Sequence, residues 1–162
     1  MSNILDMVND LKKLAILKKI VISTAESCTG GLISKYLTDL PGSSDFYNSS
    51  VIVYSNDAKT KLLNVREQTL SKFGAVSKET VEEMSKGLLE LTDSNVTIAI
   101  SGIMGPGGDS TDKVVGTLWV CLRSNDRVKS LKFCLTSNNR SINREYAAEI
   151  AIKSLYDFIN QL

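Results

Sequence analysis

The stretch from Ile20 to Leu37 limits the fold more tightly than any other part of this chain. Ile20-Val21-Ile22 is a short apolar run that reads as a buried strand, and Leu32-Ile33-Ser34-Lys35-Tyr36-Leu37 reads as a helix. Between them lies Thr24-Ala25-Glu26-Ser27-Cys28-Thr29-Gly30-Gly31, a run of mostly small residues ending in two glycines. A helix that starts here leaves its first backbone N–H groups without intrahelical partners, so the turn favours negative charge. The glycines let a ligand approach the backbone. A hydroxyl at the mouth of the turn is placed as a nucleophile, with N–H groups beside it to hold an oxyanion. The plainer alternative is that Ser27 or Thr29 only caps the helix.

The rest of the chain alternates in the same manner. Ile4, Leu5, Val8, Leu11, Leu14, Ala15 and Leu17 recur with helical period, which predicts a first helix over about residues 3–18. The helix after the glycine pair stops at Leu40-Pro41-Gly42, and residues 43–47 form a loop or one helical turn. Ser50 to Tyr54 is β-branched and apolar and reads as a central strand. Ser55 or Asn56 caps a short helix to Leu63, a second short helix covers Val65 to Phe73 with Gly74 as its stop, and Ser77 caps a longer one ending near Leu91. Val96 to Ser101 is a strand. Gly116–Leu122 and Val128–Leu135 form an antiparallel hairpin, with Lys129 and Lys132 suiting the second strand to an edge. A final helix runs from about Ser141 to Ile159, its apolar stripe made by Ile142, Tyr146, Ala147, Ile150, Ala151, Leu155 and Phe158. Early strands separated by helices, with a hairpin late, predict one α/β domain over residues 1–162. It is a three-layer α/β/α arrangement around a mixed, mostly parallel central sheet.

Composition narrows the chemistry. With 162 residues, 43% of them hydrophobic and 23% charged, the chain has the make-up of one ordinary globular domain. A formal net charge of +1 offers no bulk attraction to nucleic acid or anionic membrane, and no apolar run reaches membrane-spanning length. Cys28, Cys121 and Cys134 lack paired spacing, which with the absence of a visible signal segment points to reduced thiols and a cytoplasmic location. There is no histidine. That excludes a Ser-His-Asp triad, a Cys-His pair and any histidine-based metal site.

In an open α/β sheet, ligands sit beyond the carboxyl ends of the strands. Three loops leave such ends: Glu26–Gly31, Ser55–Lys59 and Ser101–Ser110. The first offers a hydroxyl, the second Tyr54 and Lys59, the third a glycine-rich wall that lacks the ending of a Walker motif. Without histidine, a serine nucleophile needs another base, and a lysine whose pKa is lowered by desolvation serves. Arg140 and Arg144 lie four apart at the start of the last helix, where two cations oppose the dipole unless an anion is bound there. Each has a bland alternative: Lys59 a solvated helix lysine, Tyr54 a strand residue at the rim, the glycine loop a surface loop, the arginines a surface pair.

The stretches TAESCTGGLIS, VIVYSNDAKTKLLNV, GAVSKETVEEMSKG and SGIMGPGGDSTDKVVGTLWV, with Arg140 and Arg144 near the end, together resemble the CinA C-terminal domain family, the nicotinamide-nucleotide amidases also called PncC. The resemblance runs over nearly the whole chain. It implies an α/β/α fold, hydrolysis of the carboxamide of nicotinamide mononucleotide to nicotinate mononucleotide and ammonia, a homodimer or larger homo-oligomer, and no cofactor. It places the serine nucleophile on Ser27, the lysine base on Lys59 and a tyrosine on Tyr54. Substrate contacts are expected at Glu26, Cys28, Thr29, Gly30, Gly31, Asn56, Ser101, Gly102, Gly105, Gly107, Arg140 and Arg144, with no metal. Longer members add a molybdopterin-binding-like domain with pyrophosphatase activity, which this chain is expected to lack. The chain departs from the family pattern at Met104, Asp109, Val114 and Asn139.

Three readings follow. The first is a Ser-Lys amidase acting on a pyridine mononucleotide, with no nucleic-acid or membrane partner. The second is a catalytically silent nucleotide-binding or partner-binding module of the same fold. The third puts the nucleophile on the Cys28 thiol, which no histidine would ionise.

Overall fold

The computed structural model describes residues 3–162. Its elements are α1 (Ile4–Leu17), β1 (Ile22–Glu26), α2 (Leu32–Thr38), a single 3-10 turn (Ser43–Asp45), β2 (Tyr47–Ile52), α3 (Asn56–Leu63), α4 (Glu67–Phe73), α5 (Lys78–Leu91), β3 (Val96–Gly102), β4 (Thr117–Ser124), β5 (Val128–Cys134) and α6 (Arg140–Asn160). One sheet runs in the order β2-β1-β3-β4-β5. β1 pairs in parallel with both β2 and β3, and β4 pairs antiparallel with both β3 and β5. Only β4 is reversed, so four of the five strands point the same way. Helices α1, α2 and α6 pack together on one face, and α3, α4 and α5 on the other. The chain is therefore the three-layer α/β fold expected.

Side-chain alternation along β1 and β3 divides the core. Ile22, Ile98 and Ile100 join Val8, Leu11, Ala151, Leu155 and Phe158 beneath α1 and α6. Ala25 and Ala99 join Val53, Leu63, Val81, Met84 and Leu88 beneath α3 and α5. Burying aliphatic side chains of this size contributes roughly 1.5–3 kcal/mol each before entropy is subtracted. Gly87 lets α5 close on the end of α3: a Cβ there would lie 1.9 Å from the Leu63 carbonyl oxygen. Helix α3, which carries Lys59, is thereby seated directly on α5.

Three expectations need correction. The first strand is not Ile20–Ile22 but Ile22–Glu26, all five residues buried. Its polar side chains are hidden because hydroxyls satisfy one another: Thr24 Oγ1 donates to Ser50 Oγ at 2.8 Å and lies 3.1 Å from Tyr47 Oη, and Ser23 Oγ lies 3.0 Å from Ser49 Oγ. The strand read over Ser50–Tyr54 spans Tyr47–Ile52 and is an edge, not central; its mixture of partly and fully exposed residues fits a strand with one free side. In α6, Ile142 and Tyr146 face outward and Asn143 faces inward. Asn143 donates from Nδ2 to the Met104 and Ser137 carbonyls at 3.1 and 2.9 Å, and that polar anchor sets the rotation of the first turn against the apolar stripe.

Candidate active site

The carboxyl ends of β1, β2 and β3 meet in one cleft. It is a cavity of about 240 Å³ lined by Ser27 and Cys28 after β1, Tyr54 and Lys59 after β2, Ser101 and Gly102 at the end of β3, and Ile103, Met104, Gly107 and Gly108 beyond it. Ala75 and Val76, from the turn between α4 and α5, close one wall, and Arg140 at the start of α6 stands at the mouth.

Lys59 is placed by local rules. The Ser55 hydroxyl accepts from the Ala58 N–H at 3.1 Å and so caps α3. One turn in, Lys59 points into the protein and is 1% exposed. Its Nζ lies 3.0 Å from Ser27 Oγ, 2.8 Å from the Val53 carbonyl oxygen and 3.0 Å from that of Tyr54. Burial pushes its pKa down from 10.5 to about 8. A Cys28 thiolate would oppose that shift, but burial drives the Cys28 thiol up to about 12, so it carries no charge near neutrality. As an ammonium, Nζ donates to all three oxygens. On giving up one proton it can keep both carbonyl bonds and turn its lone pair to the Ser27 hydroxyl.

The turn after β1 is tied down from behind. Glu26 is fully buried. Its Oε2 accepts from Thr29 Oγ1 (2.7 Å), Gly31 N–H (2.9 Å) and Ile33 N–H (3.2 Å), and its Oε1 from Ser34 N–H (2.9 Å). The start of α2 is thus occupied by the chain's own carboxylate, not open to a ligand anion. Gly30 N–H donates to the Ser27 carbonyl at 3.2 Å, and Ser27 N–H to that of Ile100 at 3.1 Å. Among the described residues, the Cys28 and Thr29 N–H groups are the donors of this turn that make no hydrogen bond to another residue. Gly30 and Gly31 hold φ of 60° and 98°, the left-handed region in which a side chain would be strained.

The expected residues therefore separate. Ser27, Cys28, Tyr54, Lys59, Ser101, Gly102, Gly107 and Arg140 come together around the cleft. Glu26 and Thr29 do not face it: they bond to each other behind the turn. Gly30 and Gly31 shape the turn without lining the cavity, and Gly105 contributes only its carbonyl, which accepts from Arg140 Nη1 at 3.0 Å. Asn56 is exposed on the first turn of α3, away from the cleft. The two arginines part company because α6 runs past the turn. Arg140 Nη2 donates to Tyr54 Oη at 2.8 Å, whereas Arg144 Nη2 donates to the Thr29 carbonyl at 2.7 Å. The Tyr54 phenol makes no hydrogen bond to Ser27 or Lys59; the residue serves Lys59 through its backbone carbonyl. Ala75 and Val76 are missed by the sequence reading, whereas Ile103 and Met104 fall inside the Ser101–Ser110 wall it expects. For the first two, the signal available was an apolar pair between a helix-stopping Gly74 and the N-cap Ser77.

No described helix is long and apolar enough to cross a membrane. The CinA C-terminal domain matches residues 5–159. A CinA-like protein of Endomicrobium trichonymphae is 45% identical over 132 residues, covering 82% of this chain and 31% of that protein. One of Leptospira interrogans is 43% identical over 159 residues, covering 98% and 38%. The chain spans about a third of the length of these curated relatives. Among solved structures, a CinA superfamily protein of Klebsiella pneumoniae superposes with a TM-score of 0.95 at 29% identity, covering 99% of this chain and 100% of that one. The competence/damage inducible protein CihA of Agrobacterium tumefaciens gives 0.93 at 33% identity, covering 99% of each. This chain belongs to the CinA C-terminal domain family.

Proposed function

We propose that the chain is a serine-lysine amidohydrolase that deamidates nicotinamide mononucleotide to nicotinate mononucleotide and ammonia. The observation that carries this reading is the Lys59 amine, buried, depressed in pKa and 3.0 Å from Ser27 Oγ. With a pKa of about 8, about a tenth of the lysine is neutral at pH 7, a useful base in a protein without histidine.

Ser27 Oγ attacks the carboxamide carbon while Lys59 Nζ takes its proton. The carbonyl oxygen becomes an oxyanion, and the Cys28 and Thr29 N–H groups are the free donors of the turn available to it. Collapse breaks the C–N bond, and the proton on Lys59 goes to the leaving nitrogen, which departs as ammonia. Water then attacks the acyl-serine, Lys59 again accepts a proton, and the acid is released as Ser27 recovers its hydrogen. Arg140, an exposed residue on the lining of the cleft, is the guanidinium that would take the substrate phosphate in this reading. Ala75, Val76, Ile103 and Met104 supply an apolar wall suited to a pyridine ring.

Mass-spectrometric assay of the purified chain with nicotinamide mononucleotide tests this. Formation of nicotinate mononucleotide with stoichiometric ammonia is expected. Binding of the nucleotide without turnover would replace this reading with that of a silent nucleotide-binding module.

A further inference from the structure

The proposed chemistry leaves unused the most heavily bonded carboxylate near the cleft. Glu26 touches no cavity, yet it gathers one hydroxyl and three backbone N–H groups from the segment immediately after the nucleophile. A fully buried carboxylate needs such donors to remain charged. Here the donors are the Thr29 side chain and the backbone of Gly31, Ile33 and Ser34, with the Ser50 and Thr24 hydroxyls farther off at 3.4 and 3.5 Å from Oε1. On the opposite side of the same turn, the Arg144 guanidinium takes the Thr29 carbonyl. An anion holds the N–H side of the turn and a cation holds the carbonyl side, and the two meet at Thr29.

We propose that Glu26 is a positioning residue: by gripping Thr29 and the start of α2, with Arg144 opposing it, it fixes the turn so that Ser27 and the free Cys28 and Thr29 N–H groups keep one arrangement through the reaction. The proposal rests on the serine-lysine reading of the cleft. It follows that the positive end of α2 is spent inside the protein. The carboxylate in the nucleophile motif acts on the backbone, not on substrate or on Lys59, whose depressed pKa comes from burial.

Glu26→Gln tests the grip with little change of shape. The amide oxygen can keep the contacts of Oε2, but the amide nitrogen then faces the Ser34 N–H, donor against donor. Four measurements are made on wild type and variant: steady-state ammonia release from nicotinamide mononucleotide, the pH dependence of kcat/KM, the rate of Ser27 labelling by a fluorophosphonate, and the thermal midpoint. The variant is expected to lose about 100-fold in kcat per folded molecule, the scale set by misplacing reacting groups by an ångström. KM should move by less than about threefold, and the alkaline rise of the pH profile should keep its midpoint, since Glu26 does not set the Lys59 pKa. A kcat per folded molecule within about threefold of wild type would overturn the proposal, because a carboxylate that only stabilises the fold changes the folded fraction and not the turnover of what remains folded. A shifted midpoint would also overturn it, in favour of a direct electrostatic role.

Should Glu26→Gln fail to fold, Thr29→Val removes one donor and keeps the carboxylate. It is expected to lose about tenfold in kcat, and Thr29→Ser to recover most of that loss by restoring the hydroxyl. Equal rates for the two Thr29 variants would count against the grip. Wild-type labelling at Ser27 without ammonia release would remove nicotinamide mononucleotide as substrate. The labelling rates of the variants would then decide the Glu26 role. Neither labelling nor ammonia release by wild type would remove the serine mechanism and this proposal together.

Discussion

Two glycine-bearing segments border the cleft, and they are held in opposite ways. The turn from Ser27 to Gly31 is short and buried on its inner side, and it is bonded to Glu26, Arg144 and Ile100. The excursion from Ile103 to Gly116 is long, and its tip from Pro106 to Asp112 is exposed. It is pinned at a few points: Lys113 Nζ donates to the Phe73 carbonyl, Arg140 holds the Gly105 carbonyl, and Asn143 holds that of Met104. Chemistry that depends on sub-ångström placement belongs on the first kind of segment, while fit to the outer parts of a substrate belongs on the second. The proposed nucleophile lies on the first, and Met104, Gly107 and Gly108 of the wall lie on the second.

The largest expected loss comes from the braced turn. Ser27→Ala should lower ammonia release by about 10³-fold or more, as removal of a covalent nucleophile does. Its neighbour Cys28→Ala should retain most of the rate, because a thiol pushed up to about 12 is not ionised at working pH. The reverse ranking in a steady-state assay would break the comparison at its root.

Next in size is the base. Lys59→Arg should lose about 10²- to 10⁴-fold, the range for general acid-base catalysis, because arginine stays charged. In wild type, kcat/KM should rise with pH and level off above about 8, as the amine gives up its proton. Lys59 also marks stability. Its pKa is lower in the folded than in the unfolded chain, so between about 8 and 10.5 the unfolded chain binds more protons at this group, and stability gains from this source as pH rises. Urea titrations of wild type and Lys59→Met across that window should diverge in that direction.

A smaller effect separates the arginines. Arg140→Ala should cost roughly 1.5–3 kcal/mol, about 10- to 100-fold, on the mononucleotide and little on the riboside, which lacks the phosphate. Arg144→Ala should impair both substrates alike, since it holds the Thr29 carbonyl and not the ligand. A selective loss in Arg144→Ala would exchange the two roles. Smallest of all is Gly107→Ala on the loosely held segment. A Cβ there meets nothing within 4 Å, so kcat/KM should stay within about twofold. A large loss would mean that this loop is as tightly specified as the turn.

Much of this was readable in the sequence, and the exceptions share a cause. Helix boundaries near Ser55, Gly74 and Ser77 follow from capping and stop residues, which act locally. The hairpin and its lysine-bearing outer strand follow from alternation and a short turn. Convergence of Ser27, Tyr54 and Lys59 follows from the rule for strand ends. What failed depended on partners distant in sequence. β1 extends into Ser23-Thr24-Ala25-Glu26 because hydroxyls from β2 and N–H groups from α2 satisfy its buried polar side chains. A helical wheel could not turn Ile142 and Tyr146 outward, because Asn143 is claimed by carbonyls near residues 104 and 137. Arg140 and Arg144 look equivalent at i and i+4, and only the path of α6 past Thr29 and Tyr54 distinguishes them.

The reversed strand β4 has a consequence for how such a protein can be rebuilt. Because β3 and β4 are antiparallel neighbours, the Ile103–Gly116 excursion leaves and re-enters the sheet at one point, closed at its base by Ile103 N–H to the Thr117 carbonyl (2.9 Å) and Gly116 N–H to the Ile103 carbonyl (2.7 Å). Loop-closure entropy grows slowly with length, so a longer or shorter insert between those two bonds costs little in folding free energy. The excursion is therefore a graftable cassette: one wall of the cleft can be exchanged, and substrate preference reset, while the turn after β1 that carries Ser27 and the helix α3 that carries Lys59 stay as they are.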